Sequence, residues 1–187
     1  MATHVALLRG INVGGRNKVA MADLRRLLVE QGHRDVATYI QSGNVVLTPQ
    51  RRSTPATLAR NLHDAIADGL GVSPVVMVRT AAELDEIVAA NPYPQEADRK
   101  HVHAIIQQEP IGRAQAEAMT RVLRECQDAG TPDHLTVIGS TCYLHTPGGL
   151  GRSKLAERLA RANAAGQDRA TARNWATMLR LQEMLQA

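Results

Sequence analysis

The order of the predicted strands and helices constrains the fold more than any other feature of this sequence. Apolar runs, helical periodicity and turn residues over the first 79 positions predict a strand, a helix, two strands, a helix and a strand. These segments are His4–Arg9, Ala20–Gln31, Val36–Gln41, Asn44–Thr48, the helix that begins at Thr54-Pro55, and Pro74–Arg79. The order β-α-β-β-α-β is the split βαβ pattern of a ferredoxin-like unit, so we expect an α+β protein.

The same order begins again further along the chain. The first strands are predicted to start at His4 and His101, and the two-residue hairpin turns at Ser42 and Gly139, 97 residues apart in both cases. We interpret this spacing as an internal structural repeat. A closing strand is expected near position 171, but the sequence from Thr171 onward predicts a helix instead. The second half is therefore expected to be a remodelled ferredoxin-like subdomain with extra C-terminal helices.

Local signals suggest where the chain divides. Thr80 and Glu83 form a capping box for a helix that ends before a proline-containing linker. We therefore expect a ferredoxin-like subdomain over 1–79, a connecting helix and linker over 80–100, and a second α+β subdomain over 101–187.

Composition excludes several classes of protein. The chain has 187 residues, of which 44% are hydrophobic and 21% charged, so it can build a core and is not a disordered segment. It contains no apolar run long enough to span a membrane and only two cysteines, without CxxC spacing, and its first residues lack the signal-peptide pattern, so we expect no signal peptide. We expect a cytoplasmic protein with no membrane partner.

Charge and aromatic content bear on the partner. The formal net charge is +4, and the whole excess lies in residues 147–187, which contain 7 basic and 3 acidic residues. A basic end can attract phosphate groups, including those of nucleic acid. The chain has no Phe, three Tyr and one Trp, so it offers few rings on which bases could stack. Nucleic acid is thus a possible partner but not the favoured one.

The first candidate site is a glycine-rich loop, Leu7–Gly15, directly after the first strand. Three glycines there would let backbone N–H groups turn inward around an anion, with Arg9 and Arg16 beside the loop. The loop lacks the Gly-Lys-Ser/Thr ending of a Walker loop and the glycine spacing of the dinucleotide fingerprint. The alternative is a tight connection whose glycines only supply positive φ angles.

Two further candidates lie near the C-terminus. In Pro147–Leu155, Ser153 would cap a helix whose free N–H groups suit an anion, with Lys154 nearby; a capped helix start with solvated basic residues is the alternative. In Thr171–Trp175, Thr171 would cap a helix and Arg173 would project from its first turn. A cation there opposes the helix dipole unless an acidic residue or a bound anion accompanies it.

Other patterns are weaker. His101 and His103 could face one side of a strand, but no third ligand has diagnostic spacing, so no metal site is expected. Cys142 lies in a predicted strand and is expected to be buried. No pair of carboxylates stands out for acid–base catalysis, so the sequence neither supports nor excludes an enzyme.

Four motifs in order, RGINVGG, TYIQSGNV, GRSKL and TARNW, resemble the family catalogued as domain of unknown function 1697. The resemblance implies a cytosolic bacterial α+β protein of two related subdomains, the first ferredoxin-like, and it implies no activity. The matching positions are Arg9, Gly10, Asn12, Gly14, Gly15, Gln41, Ser42, Gly43, Asn44, Ser153, Lys154, Thr171, Arg173, Asn174 and Trp175. One departure is Ala172, where the family often carries a second threonine.

The sequence favours a protein that binds an anionic or phosphorylated small ligand in a cleft between its subdomains. The expected ligand-binding residues are Arg9, Gly10, Asn12, Gly14, Gly15, Gln41, Ser42, Asn44, Ser153, Lys154, Arg173 and Asn174. Sequence-nonspecific nucleic-acid binding through the basic C-terminal region and an enzyme of unknown reaction class stay open as alternatives. No cofactor is expected, and the oligomeric state is open.

Overall fold

The computed structural model of the chain describes residues 1–162 and 170–187. Within these residues the order strand-helix-strand-strand-helix-strand-helix occurs twice. The first series is β1 (His4–Arg9), α1 (Met21–Glu30), β2 (Arg34–Tyr39), β3 (Asn44–Thr48), α2 (Pro55–Leu70), β4 (Val75–Thr80) and α3 (Ala81–Ala89). The second is β5 (Val102–Gln107), α4 (Arg113–Asp128), β6 (His134–Ile138), β7 (Thr141–His145), α5 (Lys154–Ala162), β8 (Ala170–Asn174) and α6 (Trp175–Gln186).

Each series forms its own four-stranded antiparallel sheet. The strand orders are β2-β3-β1-β4 and β6-β7-β5-β8, so the two sheets have the same topology. This confirms the expected α+β fold with two ferredoxin-like subdomains. The described residues cluster into two compact units, of which the first comprises Met1–Glu86 with Leu179–Ala187 and the second Ile87–Met178.

In the first unit, one face of the sheet packs against α1 and α2. Ala6 and Leu8 of β1 meet Leu24 of α1 and Leu62 of α2 in one apolar cluster. The helix α2 begins as its sequence predicts, because the Thr54 side chain accepts a hydrogen bond from the N–H of Thr57 and proline occupies the first turn.

In the second unit, α4 and α5 cover one face of the sheet. Met119 of α4 and Leu155 of α5 pack against Cys142 and Leu144 of β7. Burial raises the pKa of the Cys142 thiol to about 12, so this cysteine is an inert part of the core. Its predicted burial is confirmed.

The chain around Thr171 corrects one prediction. Residues Ala170–Asn174 form β8, which pairs with β5 in the register Ala104↔Arg173, and the helix α6 starts only at Trp175. Thr171 is therefore a strand residue and not a helix cap. The cap is Asn174, whose side-chain oxygen accepts a hydrogen bond of 2.9 Å from the N–H of Thr177. The closing strand of the repeat is thus present. The sequence did not indicate it because its residues are mostly polar or small.

The first hairpin also differs from its prediction. Its turn spans four residues, 40–43, instead of the two predicted at Ser42-Gly43. The Asn44 side chain closes this wider turn by donating a 3.0 Å hydrogen bond to the carbonyl of Tyr39. In the second hairpin the two-residue turn Gly139-Ser140 is confirmed.

Candidate functional site

The connection between β1 and α1 carries the glycine-rich motif and forms a small hairpin of its own. The N–H of Asn12 donates to the carbonyl of Asn17 and that of Arg16 to the carbonyl of Val13, both at 3.0 Å. Gly14 and Gly15 lie at its tip with φ of +56° and +77°, as in a type I′ turn. We call residues 10–18 the basic finger. Gly14 and Gly15 supply these positive φ angles, and neither of their two N–H groups donates to an acceptor among the described residues.

Asn12 joins the basic finger to the hairpin turn of the same unit. Its amide nitrogen donates to the carbonyls of Val19 at 2.9 Å and Gln41 at 3.0 Å, and its oxygen accepts from the N–H of Val19 at 2.8 Å. Asn17 adds a 2.7 Å hydrogen bond to the carbonyl of Gly10. The structure therefore brings the predicted residues Arg9–Gly15 and Gln41–Asn44 together at one end of the first sheet.

The predicted residues of the turn divide by exposure. Gln41 and Ser42 are exposed, whereas Asn44 is buried and donates a 2.9 Å hydrogen bond to the Ser42 hydroxyl. The carbonyl of Gly43 accepts from the N–H of Leu8 at 2.7 Å, which ties the turn to β1. Asn44 thus shapes the turn, and Gln41 and Ser42 are the side chains that a ligand could reach.

The basic finger differs from the equivalent connection in the second unit. Residues 10–20, eleven in number, separate β1 from α1, whereas the five residues 108–112 separate β5 from α4. Residues 10–20 contain Arg16 and Lys18 and no carboxylate, with Arg9 directly before them at the end of β1, while 108–112 contains one glutamate and no cation. The shared topology therefore requires neither the extra length nor the positive charge.

The second predicted site is the N-terminus of α5, where a carboxylate of the protein itself, that of Asp133, lies beside the helix cap. The Ser153 hydroxyl donates to the Asp133 carboxylate at 2.6 Å and accepts from the N–H of Ala156 at 2.9 Å. This confirms Ser153 as the cap of α5. Asp133 is only 3% exposed, so a buried carboxylate already lies beside the N-terminus of this helix. Lys154 is exposed.

The third predicted site is not a helix turn. Arg173 lies in β8 and is 8% exposed, so its predicted projection from a first helical turn is wrong. Its guanidinium donates to the Thr171 hydroxyl at 2.7 Å and to the carbonyl of Ala172 at 2.8 Å. Burial lowers the pKa of Arg173 to about 10, which leaves it charged at neutral pH.

Arg79 is the counterpart of Arg173 in the first unit, and sequence reasoning missed it. Arg79 pairs with Val5 of β1 as Arg173 pairs with Ala104 of β5, and it is also buried. It likewise donates to the carbonyl of the residue before it, Val78, at 2.7 Å. The detectable signal is an arginine directly before the residue that caps a helix, in Arg79-Thr80 as in Arg173-Asn174.

A second group that the sequence did not reveal surrounds Glu96 in the linker. Its carboxylate lies 2.6 Å from Nε2 of His145 and 3.5 Å from Nδ1 of His101. The hydrogen bond with His145, followed by that from the N–H of Asp98, lowers the pKa of Glu96. The Tyr93 ring stacks on His145 with centroids 5.0 Å apart. These contacts fasten the linker to the second sheet.

The sequence predicts neither a metal site nor a membrane-spanning segment, and the described residues bear on both predictions. In residues 1–162 and 170–187, no group of three or more histidine, cysteine or acidic side chains is arranged to hold a metal ion. His103 is buried and its Nδ1 has no hydrogen-bond partner among these residues, while burial lowers its pKa. No helix of the described chain is long and apolar enough to cross a membrane.

Three cations of the C-terminal region pair with carboxylates. Arg158 pairs with Glu125 at 3.2 Å, and Arg161 pairs with Glu157 at 2.7 Å. Arg180 is 2.8 Å from its neighbour Glu183. These carboxylates offset part of the positive charge there. Nucleic-acid binding through this region stays a prediction.

Fold and site together define an α+β protein of two ferredoxin-like halves, with a basic finger in the first. The chain belongs to the family described as protein of unknown function (DUF1697), whose profile matches residues 1–143. The GRSKL and TARNW motifs lie beyond the matched range. A solved structure of a conserved bacterial protein from Streptococcus pneumoniae is similar, with a TM-score of 0.67 and 22% identity over 98% of each chain. That likeness shows the fold alone. Among curated proteins, none matches this chain.

Proposed function

We propose that this protein binds an anionic, phosphate-bearing small ligand at the basic finger and the adjacent turn. The observation that carries this proposal is the composition of the end of β1 and the connection after it, where Arg9, Arg16 and Lys18 occur within residues 9–18 and no carboxylate does. Arginine and lysine form charge-assisted hydrogen bonds with phosphate that are stronger than those between neutral groups. The exposed side chains of Gln41 and Ser42 add neutral donors beside them.

The length of the connection supports the same conclusion. Lengthening a flexible connection from five to eleven residues costs roughly 0.7 kcal/mol of closure entropy. The hydrogen bonds of Asn12 and Asn17 then hold the longer connection in one shape. An ordered, exposed connection that the fold does not require is typical of a binding loop. The unbonded N–H groups of Gly14 and Gly15 can donate to phosphate oxygens.

Titration calorimetry with inorganic phosphate and pyrophosphate tests the proposal. We expect the double variant Arg16→Gln/Lys18→Gln to bind pyrophosphate at least tenfold more weakly than the unaltered protein. The matched control is Arg51→Gln/Arg52→Gln, which removes the same charge from exposed positions beyond the far end of β3. It is expected to change the affinity less than twofold.

Two results would contradict the proposal. If neither anion binds at low ionic strength, the basic finger is no anion site. If the two double variants weaken binding equally, the anion responds only to net charge and not to the basic finger.

A further inference from the structure

Two aliphatic side chains beside the cations are exposed although exposure is unfavourable for them. Val13 in the basic finger is 67% exposed, and Ile40 in the adjoining turn is 52% exposed. Ile40 also has a φ of +48°, a left-handed conformation that β-branched residues rarely adopt. Asparagine or glycine would fit this position with less strain. A strained, exposed isoleucine serves no purpose in the core, which points to a role in binding.

A hydrogen bond of Asn12 joins the two chain segments that carry these side chains. The Asn12 amide nitrogen lies 3.0 Å from the carbonyl of Gln41, and Val13 and Ile40 are the immediate chain neighbours of those two residues. Arg16 is joined to Val13 by a backbone hydrogen bond of 3.0 Å. Two exposed aliphatic residues and the exposed Arg16 therefore belong to two neighbouring chain segments.

This inference rests on the proposed function and names its ligand class. We propose that the ligand is a nucleoside phosphate, with its base on Val13 and Ile40 and its phosphate on Arg16 and Lys18. A base offers the two aliphatic side chains a larger and flatter apolar face than the ring of a sugar phosphate does. A lipid chain would need a much larger apolar surface than two side chains provide.

Calorimetry with AMP, ribose 5-phosphate and inorganic phosphate separates the contribution of the base from that of the phosphate. We expect AMP to bind at least tenfold more tightly than ribose 5-phosphate. In Ile40→Asn this preference is expected to fall below threefold while inorganic phosphate binds unchanged. Because asparagine tolerates a left-handed φ, this variant is expected to fold.

The matched control is Ile138→Asn, at the corresponding hairpin of the second unit, where the isoleucine is 42% exposed. It is expected to keep the full preference for AMP. A preference for AMP that survives in the double variant Val13→Ser/Ile40→Asn overturns the placement of the base.

Failure of this inference is distinguishable from failure of the proposed function. Equal affinities for AMP and ribose 5-phosphate, both weakened by Arg16→Gln/Lys18→Gln, would exclude a nucleoside phosphate and leave the anion site intact. No binding of any of the three probes would overturn both.

Discussion

Gly43 is the position where a single added methyl group should disturb the hairpin of the first unit most. Its φ is +77°, and a Cβ placed there would lie 2.7 Å from Cβ of Leu8 and 3.1 Å from the Leu8 carbonyl oxygen. Both of these atoms are fixed by β1, whose N–H at Leu8 is bonded to the Gly43 carbonyl. Neither can rotate away, so Gly43→Ala forces the turn and the strand apart.

The cost has two parts. A left-handed alanine costs about 1–2 kcal/mol, and forcing a methyl group into a packed contact typically adds about 1–3 kcal/mol. We therefore expect Gly43→Ala to lower the free energy of unfolding by about 2–5 kcal/mol. Gly139→Ala is the matched control, since Gly139 has a φ of +58° and a Cβ added there would meet no atom within 4 Å. It should cost only about 1–2 kcal/mol.

Urea denaturation combined with hydrogen exchange measures both effects. Because the described residues form two compact units, exchange is followed separately in β1–β3 peptides and in β5–β7 peptides. Gly43→Ala should accelerate exchange in the first set by the larger factor, and Gly139→Ala should accelerate it in the second by the smaller. Equal costs for the two variants would refute the argument that the contact with Leu8 adds to the backbone strain.

Two more variants test the contacts of the second unit. Ser153→Ala should lower the free energy of unfolding by about 1–3 kcal/mol in urea denaturation, because it removes the cap of α5 and leaves the buried Asp133 carboxylate without this donor. Glu96→Gln should make the stability of the protein depend less on pH in the acidic range. The lowered pKa of Glu96 means that its contribution is present above the ordinary value of 4.5 and is lost as the pH falls through the folded value. Melting temperatures between about pH 3 and pH 6 should fall more steeply for the unaltered protein than for the variant, and parallel curves would contradict the role of the His145 contact.

Sequence patterns predict the elements whose signals are local. The capping box of Thr80 and Glu83 is present, with the N–H of Thr80 donating to the Glu83 carboxylate at 2.8 Å and that of Glu83 to the Thr80 hydroxyl at 3.1 Å. The strand Asn44–Thr48 has its predicted bounds because all its side chains but the last are buried. These features need no knowledge of the rest of the chain.

The strand β8 could not be recognised in the same way. Its buried side chains are Thr171 and Arg173, which alternate with the exposed Ala172. The strand therefore has the expected period of two, but its buried residues are polar, and a search for alternating apolar residues does not find it. The helix that begins at Trp175 follows directly. In the sequence its apolar spacing makes the whole segment from Thr171 onward resemble one helix. Only pairing with β5, a contact about 70 residues distant in sequence, defines the strand.

The Glu96 cluster was hidden for a related reason. His101, His145 and Glu96 are spread over about 50 positions, and they meet only because β5 and β7 are neighbours in the sheet. A single histidine in a strand carries no signal of its own partner. The contacts are a consequence of topology, which a pass along the chain cannot supply.

The repeat separates what the fold needs from what this chain adds to it. A buried arginine before a helix cap occurs in both units, at Arg79 in β4 and Arg173 in β8, and each pairs in equivalent register with the first strand of its unit. A feature present in both copies is accounted for by the shared architecture, so Arg173 is better explained as part of the scaffold than as a ligand contact. Within residues 1–162 and 170–187, the basic finger and the left-handed Ile40 occur only in the first copy. Since the second copy forms the same sheet without them, the shared fold does not require them, which supports the binding proposed for this end of the first unit.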